Sequence, residues 1–414
     1  MEASSPRSLP RSQFKRSAFW RLLPAGMRKR WWMFRPLDLI ARYWPVFKPQ
    51  KGILVIRMDG IGDMVLFRRS LDRYAEIFGT IKSDITILGC KSWEGLADEV
   101  FSGYRVISIN EHAFSRRPLY RLRVSIMVRA LAPKVAVCDS YMRRALMADS
   151  LTWVSAAHKT IVSLPYISER TRPEFYYYLS QVDEIIDTGP YPTHELIRHS
   201  RFISALAGKT ILPEAPWIPW RKKPEFIESW DAFDQPYAIL NTGSNEPGRR
   251  WPMSGYSEIA RNLTKLGMLV VFVGHKDEQD EINIISRLSQ ELGVVNLAGK
   301  TSLTQLLDLF SHASIVISND TGPAHLSIAL GRPTVVIIGG GHFSSFVPYP
   351  KEVVLKDARF VYQKMECYHC FWSCHKRSDN LQTFPCISSV DEKQVWFACK
   401  DLLGLSKKKK LSKL

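Results

Sequence analysis

Short β-branched runs without polar alternation recur along this chain in two series, and this pattern constrains the fold more than any other feature. Ile53-Leu54-Val55-Ile56-Arg57-Met58 opens the first series. A run of this kind suits a strand covered on both faces, as in a parallel sheet. Ile85–Leu88, Val106–Ile109, Val135–Cys138 and Thr160–Ser163 continue it, separated by stretches of helical spacing or length such as Met64–Phe78, Ser92–Val100 and Pro118–Leu131. Thr193–Ala207 predicts a helix closed by Gly208. Leu212-Pro213-Glu214-Ala215-Pro216-Trp217-Ile218-Pro219 then breaks both periodicities, because each proline removes a backbone donor and fixes φ. Beyond it the alternation restarts, with strands over Tyr237–Asn241, Met268–Val273, Val294–Leu297, Ser314–Ser318 and Thr334–Ile338. The helices of this series fall over Ser254–Leu266, Asp277–Leu292, Ser302–Phe310 and Ala324–Leu330. Strands alternating with helices make parallel, doubly wound sheets.

The expected organisation is a basic aromatic extension over residues 1–51, an α/β domain over 52–208, a linker over 209–234, a second α/β domain over 235–405 and a Lys-rich tail over 406–414. A length of 414 residues, 45% hydrophobic and 23% charged, suits two globular domains and excludes disorder throughout. Two Rossmann-like halves place a ligand in the cleft between them, at the carboxyl ends of the strands.

No run of about 18 apolar residues occurs, which argues against a spanning helix. Of the net charge of +17, residues 1–50 carry +9, from eleven Lys/Arg against Glu2 and Asp38, and the tail adds five lysines, leaving +3 for the body. The basic residues of the extension are interleaved with Phe14, Phe19, Trp20, Trp31, Trp32, Phe34, Tyr43 and Trp44. That mixture suits an anionic membrane surface, where each nearby cation contributes about 1 kcal/mol, and it equally suits a solvated, partly disordered arm; nucleic acid is the weakest reading. Residues 1–10 lack the continuous apolar region of a secretory signal, so reduced cysteines are expected.

Four strand-to-loop exits carry polar chemistry. Ile315-Val316-Ile317-Ser318 runs into Asn319-Asp320-Thr321-Gly322-Pro323-Ala324-His325. Gly322 permits close backbone approach and Pro323 suits a first helical turn, so free N–H groups there would receive a diphosphate. The plainer reading is that Asp320 or Thr321 merely caps the helix, worth about 1 kcal/mol. Asn241-Thr242-Gly243-Ser244-Asn245 runs on to Gly248-Arg249-Arg250-Trp251-Pro252, joining small hydroxyls to guanidinium groups that match phosphate oxygens. Gly274-His275-Lys276-Asp277-Glu278 adds an acidic side chain of the kind that accepts from ribose hydroxyls. In the first half, Asp59-Gly60-Ile61-Gly62-Asp63 is no dinucleotide fingerprint, because Val65 stands where a third glycine would fall. Asp63 reads either as an N-cap or as a carboxylate that accepts a proton from an incoming hydroxyl.

Together and in this order, Ile53–Asp63, Gly243–Pro252 and Ser318–His325 resemble glycosyltransferase family 9, the group that contains the lipopolysaccharide heptosyltransferases, over roughly residues 52–400. The resemblance implies the GT-B architecture of two Rossmann-like domains and inverting transfer that needs no cofactor for catalysis. It implies a nucleotide-sugar donor, ADP-heptose above others, and a lipopolysaccharide-core or related glycolipid acceptor. It assigns the base to Asp63, the basic residue before Trp-Pro to Arg249, the diphosphate loop to Asp320, Thr321, Gly322 and His325, and a place near ribose to Glu278. Leaving-group charge would then meet N–H groups over Thr321–Ala324, with Thr242, Ser244 and Arg249. Asp59-Gly60 departs from the family's usual small or hydroxyl pair, and the extension has no recognised counterpart. The expected location is cytoplasmic, peripheral on the inner face of the cytoplasmic membrane through the basic termini. The rival readings are the same chemistry on another glycan or protein acceptor, and a non-catalytic membrane scaffold.

Five of the seven cysteines fall in the C-terminal stretch. Cys367, Cys370, Cys374 and Cys386 have a C-x2-C-x3-C-x11-C spacing compatible with a closed, structural zinc or iron site. Free thiols packed beside Phe371 and Trp372, or a disulfide, remain the alternatives.

Overall fold

The structure, a computed structural model, describes residues 6–222, 225–228, 233, 235–280, 282, 283 and 293–405. The chain forms two compact units: one takes in the residues up to Gly60 and Arg69–Glu214, the other Ile61–Arg68 and the residues from Ala215 onward. The expected tail over 406–414 lies outside the described residues, as do parts of the expected linker and much of the helix expected over Asp277–Leu292.

The first unit is built on a seven-stranded sheet of β1 (Arg7–Leu9), β2 (Ile53–Arg57), β3 (Ile85–Cys90), β4 (Arg105–Ile109), β5 (Val135–Cys138), β6 (Lys159–Ser163) and β7 (Glu184–Asp187), in the order β1-β7-β6-β5-β2-β3-β4. All neighbours are parallel except β1, which pairs antiparallel with β7, Arg7 opposite Asp187. Without β1 this is the Rossmann order, and it reverses between β2 and β5. Every residue of β2 is buried, Ile53–Ile56 as an apolar run and Arg57 through its ion pair with Asp139.

The basic extension is part of this unit. Its helix α1 (Lys29–Arg42) buries Trp31, Phe34, Asp38 and Ala41, a stripe at helical spacing. Helix α2 (Ile61–Ile77) follows β2, and α3 (Pro118–Leu131) lies against α1. Asp38 on α1 receives Arg121 of α3 in a bidentate pair, Nε to Oδ1 at 2.8 Å and Nη2 to Oδ2 at 2.6 Å, with Phe34 and Phe114 stacked on the guanidinium. The arm is thus pinned by a buried ion pair, contrary to the solvated alternative. Helix α4 (Glu195–Ala207) ends at Gly208, whose φ of +64° supplies the left-handed stop.

The second unit holds six parallel strands, β8 (Tyr237–Asn241), β9 (Leu269–Val273), β10 (Val294–Asn296), β11 (Ile315–Asn319), β12 (Thr334–Ile337) and β13 (Ala358–Val361), in the order β10-β9-β8-β11-β12-β13. This too is the Rossmann order, reversing between β8 and β11. Helices α5 (Met253–Thr264), α6 (Leu303–His312), α7 (Gly322–Ala329) and α8 (Glu392–Leu402) flank it, and α5 and α8 bury Tyr256, Leu263, Val395 and Cys399 in one core with Leu240 and Phe272. Among the described residues no helix is long and apolar enough to cross a membrane.

Candidate functional site

In the second unit, the loops leaving β8 and β11 flank the strand-order reversal, the place where open α/β sheets bind ligands. Two asparagines at the strand ends tie these loops together. Asn319 donates from Nδ2 to the Thr242 carbonyl at 2.8 Å, while its Oδ1 accepts from the Trp251 N–H at 3.0 Å. Asn241 donates to Ser318 Oγ at 2.8 Å and to Thr321 Oγ1 at 3.4 Å. The motifs give neither asparagine a role of its own, although an amide ends each of two neighbouring strands.

Thr321 is the N-cap of α7, yet its side chain makes no capping bond and its hydroxyl donates to the Asn319 carbonyl at 3.3 Å. The capping alternative therefore fails for Thr321. The expected run of amides also narrows: Pro323 has no N–H, and the Ala324 amide donates to the Thr321 carbonyl at 3.1 Å. What is left at the positive end of the α7 dipole is the amides of Thr321 and Gly322, which find no acceptor among the described residues.

Arg249 stands beside them. One terminal nitrogen donates to the Asp320 carbonyl and lies 3.3 Å from the Asp320 carboxylate, and the guanidinium sits 4.4 Å over the Trp372 ring. Its Nε is buried with no hydrogen-bond partner among the described residues. Glu278, expected near ribose, is buried and engaged: Oε1 pairs with Arg250 Nε at 3.0 Å, and Oε2 accepts from Thr242 Oγ1 at 3.2 Å and from the His275 N–H at 3.1 Å. A Cβ at Gly274 would stand 2.2 Å from that oxygen, so only glycine leaves room for the carboxylate. Ser244 is buried, its hydroxyl accepting from the Glu246 N–H at 3.4 Å and its carbonyl accepting from Arg250 at 2.9 Å.

His325 is buried with Nδ1 2.7 Å from the Tyr349 hydroxyl, the two rings stacked. Burial pushes its pKa down to about 4; Asp320 opposes the shift and Arg249 adds to it. At neutral pH this ring is uncharged, so it serves the loop as a packed, hydrogen-bonded group and not as a cation.

Asp63 is the third residue of α2, and the N-cap is Gly60, so the N-cap reading is corrected; its carboxylate is in the first turn, where the helix dipole favours it. Residues 61–68 cluster with the second unit: a Cβ at Gly62 would fall 2.9 Å from His325 Cδ2, and one at Gly322 would fall 3.1 Å from Ile61 Cβ. In the first unit the turn before Asp63 is held by a buried network absent from the sequence expectations. Arg57 pairs with Asp59 at 2.9 Å and with Asp139 at 2.6 Å, His199 Nδ1 is 3.0 Å from Asp139, and Ser140 donates to Asp59 at 2.8 Å. Burial alone would raise the Asp139 pKa, but Arg57 and His199 hold it well below the usual carboxylate range.

All seven cysteines are free thiols, which removes the disulfide alternative from this structure. Cys367, Cys370, Cys374 and Cys386 line one cavity of about 10 Å³, together with Tyr368, Trp372 and Phe384. Gly340 donates its N–H to Cys386 Sγ at 3.4 Å, and burial raises the thiol pKa of both Cys370 and Cys386. Among the described residues no three His, Cys, Asp or Glu side chains stand in a ligating arrangement.

Against known proteins, the model of a family described as glycosyltransferase family 9 (heptosyltransferase) matches residues 197–373. The chain is similar to lipooligosaccharide heptosyltransferase 2 of Haemophilus influenzae, 30% identical over 157 residues, covering 34% of this chain and 45% of that protein. The chain thus spans about half the length of the curated relatives it matches. Among solved structures it is similar to a family 9 glycosyltransferase from Veillonella parvula, with a TM-score of 0.68 at 17% identity over 87% of this chain and 99% of that one. It is similar as well to the ADP-heptose lipopolysaccharide heptosyltransferase II of E. coli, with a TM-score of 0.61 at 18% identity over 86% and 99%. These likenesses show the fold alone, α/β with two Rossmann-like domains of the GT-B class.

Proposed function

We propose that this chain is an inverting glycosyltransferase that moves a sugar, heptose from ADP-heptose, onto a lipopolysaccharide core or related glycolipid, as a peripheral protein on the inner face of the cytoplasmic membrane. The observation that carries the reading is the buried, unpartnered Nε of Arg249 beside the open amides of Thr321 and Gly322. Three donors at one helix terminus suit the two phosphates of a leaving nucleoside diphosphate. The names of similar proteins, heptosyltransferases that include an ADP-heptose enzyme, support the choice of sugar and acceptor.

The mechanism we infer is a single displacement. Asp63 takes the proton of the acceptor hydroxyl, the new bond forms between that oxygen and the anomeric carbon, and the bond from that carbon to the diphosphate breaks with its electron pair going to phosphate. General-base help of this kind contributes about 10²- to 10⁴-fold, and each preorganised donor to the leaving oxygen about 10²-fold or more. Replacing Asp63 by Asn is expected to lower kcat by at least about 10²-fold while donor affinity stays within a few-fold. Arg249→Ala is expected to weaken both. A donor panel of ADP-heptose with ADP-, UDP- and GDP-hexoses on a truncated lipid A-core acceptor, read by mass spectrometry, tests the sugar. Near-normal turnover by Asp63→Asn would sink the base assignment, and product from a hexose donor alone would sink heptose.

The four cysteines, we also propose, hold a structural zinc or iron ion. The cavity they line has the size of one small occupant, and His369, Phe371 and Trp372 adopt φ of +70°, +53° and +62°, three left-handed positions costing about 1 to 2 kcal/mol each. An ion bridging Cys367, Cys370, Cys374 and Cys386 after side-chain rotation would offset that cost and tie the loop that carries Trp372 under Arg249. Elemental analysis of purified protein decides: less than about a tenth of an equivalent of Zn or Fe, with all four thiols titratable, refutes the site.

A further inference from the structure

Helix α1 is apolar on two opposite faces, and only one of them is covered. The inner stripe of Trp31, Phe34, Asp38 and Ala41 is buried. At 100° per residue, Trp32, Met33, Pro36, Ile40 and Tyr43 fall on the far side, and all are exposed, Tyr43 at 75%. The stripe does not stop at the helix end, since Trp44 is exposed and Phe47 is 98% exposed. Nine of the twenty exposed large apolar side chains among the described residues lie between Phe19 and Phe47, so this is a concentrated surface and not the scatter any protein shows.

The charges are sorted in the same way. Arg28 is paired with Glu174, Arg35 lies over the Trp153 and Tyr177 rings, and Arg42 donates to the Trp153 carbonyl, so these three are used in packing α1 onto its own unit. Arg21, Lys29, Arg30, Lys48 and Lys51 are exposed, and among the described residues none of them forms an ion pair. Between residues 6 and 51 the one acidic residue is Asp38, which is buried against Arg121. The exposed face therefore combines aliphatic and aromatic side chains with positive charge and contains no carboxylate.

We propose that this face of α1 and the segment Tyr43–Phe47 is the surface on which the protein lies in an anionic lipid bilayer, with Trp32, Met33, Ile40 and Phe47 entering the headgroup and acyl boundary while Lys29, Arg30 and Lys48 meet lipid phosphates. Apolar residues on one side of a helix with flanking cations is the composition of interfacial helices, and the interfacial aromatics and cations add to the same attraction. A nucleic acid would use the cations and leave the aliphatic side chains in water. The inference deepens the peripheral-membrane part of the proposed function and does not depend on the transfer chemistry.

The experiment is co-sedimentation of the full chain with phosphatidylglycerol-containing vesicles and with phosphatidylcholine vesicles, for wild type, Met33→Ser/Ile40→Ser/Phe47→Ser, and Lys29→Gln/Arg30→Gln/Lys48→Gln. Wild type is expected to bind the anionic vesicles preferentially, and each triple variant to lose about tenfold or more in partitioning. An unchanged urea midpoint shows that the substitutions leave the fold intact, as exposed positions allow. Unaltered anionic-vesicle binding by the apolar variant overturns the proposal. So does a wild-type dimer in sedimentation equilibrium that the apolar variant turns into a monomer, since the face would then be covered by a second copy. Transfer to a delipidated, soluble oligosaccharide is expected to be equal in wild type and both variants, so failure of transfer and failure of docking are separate results.

Discussion

At the residue scale, His325 shows how far a motif letter can be from its expected role. A histidine beside a diphosphate loop invites a positive charge, but this one is buried under Tyr349 and its pKa falls from 6.5 to about 4. Because the folded state resists the proton, stability contributed by the neutral ring is complete above the unfolded pKa of about 6.5 and is lost as pH falls toward about 4. A shift of this size corresponds to roughly 3 kcal/mol. Wild type is therefore expected to lose on the order of 3 kcal/mol more than His325→Gln between pH 6.5 and 4, measured by urea unfolding across that range. Parallel pH profiles for the two proteins would show that the ring takes up its proton as readily in the folded state as in the unfolded one. Glu278 carries the same lesson. Its place after β9 was legible, but its engagement by Arg250, Thr242 and the His275 amide depends on Gly274 leaving space, which no spacing rule reveals.

At the element scale, α1 is the part of the fold on which stability most visibly rests on a single buried pair. Arg121 and Asp38 are both essentially without exposure, and leaving either one alone strands a charge. Asp38→Ala is expected to cost about 3 to 5 kcal/mol, whereas Asp38→Leu with Arg121→Leu is expected to recover most of it, because two apolar side chains do not need each other's charge. Urea midpoints of the single and double variants measure this, and a double variant no better than the single would place the cost elsewhere. The same pair explains why α1 was not legible in the sequence. Its inner stripe contains an aspartate, its interior contains Pro36, and its outer face is also apolar, so no one-sided pattern stands out. β7 escaped for a related reason: Glu184-Ile185-Ile186-Asp187 is four residues long with a carboxylate at each end. β2, β5 and β8 were legible because strands buried on both faces are apolar over most of their length, and helix α3 because Pro118 opens it and its spacing persists to Leu131. Motif loops were readable at the positions where backbone chemistry demands a residue type, as at Gly322 and Pro323; the asparagines that join them were not, because their partners come from distant strands.

At the scale of the whole molecule, the polar chemistry is divided between two sheets of the same strand order. The donors suited to a diphosphate, Arg249 with the amides of Thr321 and Gly322, all belong to the second unit. The buried network of Arg57, Asp139 and His199 belongs to the first, where both cationic partners converge on the Asp139 carboxylate. A nucleoside diphosphate without its sugar should therefore be felt unequally. ADP at about 100 times its dissociation constant stabilises the state that binds it by about 2.7 kcal/mol. Hydrogen exchange read by mass spectrometry is expected to slow in the segments Thr242–Arg250 and Asp320–His325 while leaving residues 6–51 unchanged. The amides of Thr321 and Gly322 should be among the most protected, since they gain the acceptor they lack. Protection confined to the first unit would show that the nucleotide is held by the other switch point, and the assignment of Arg249 would fall with it.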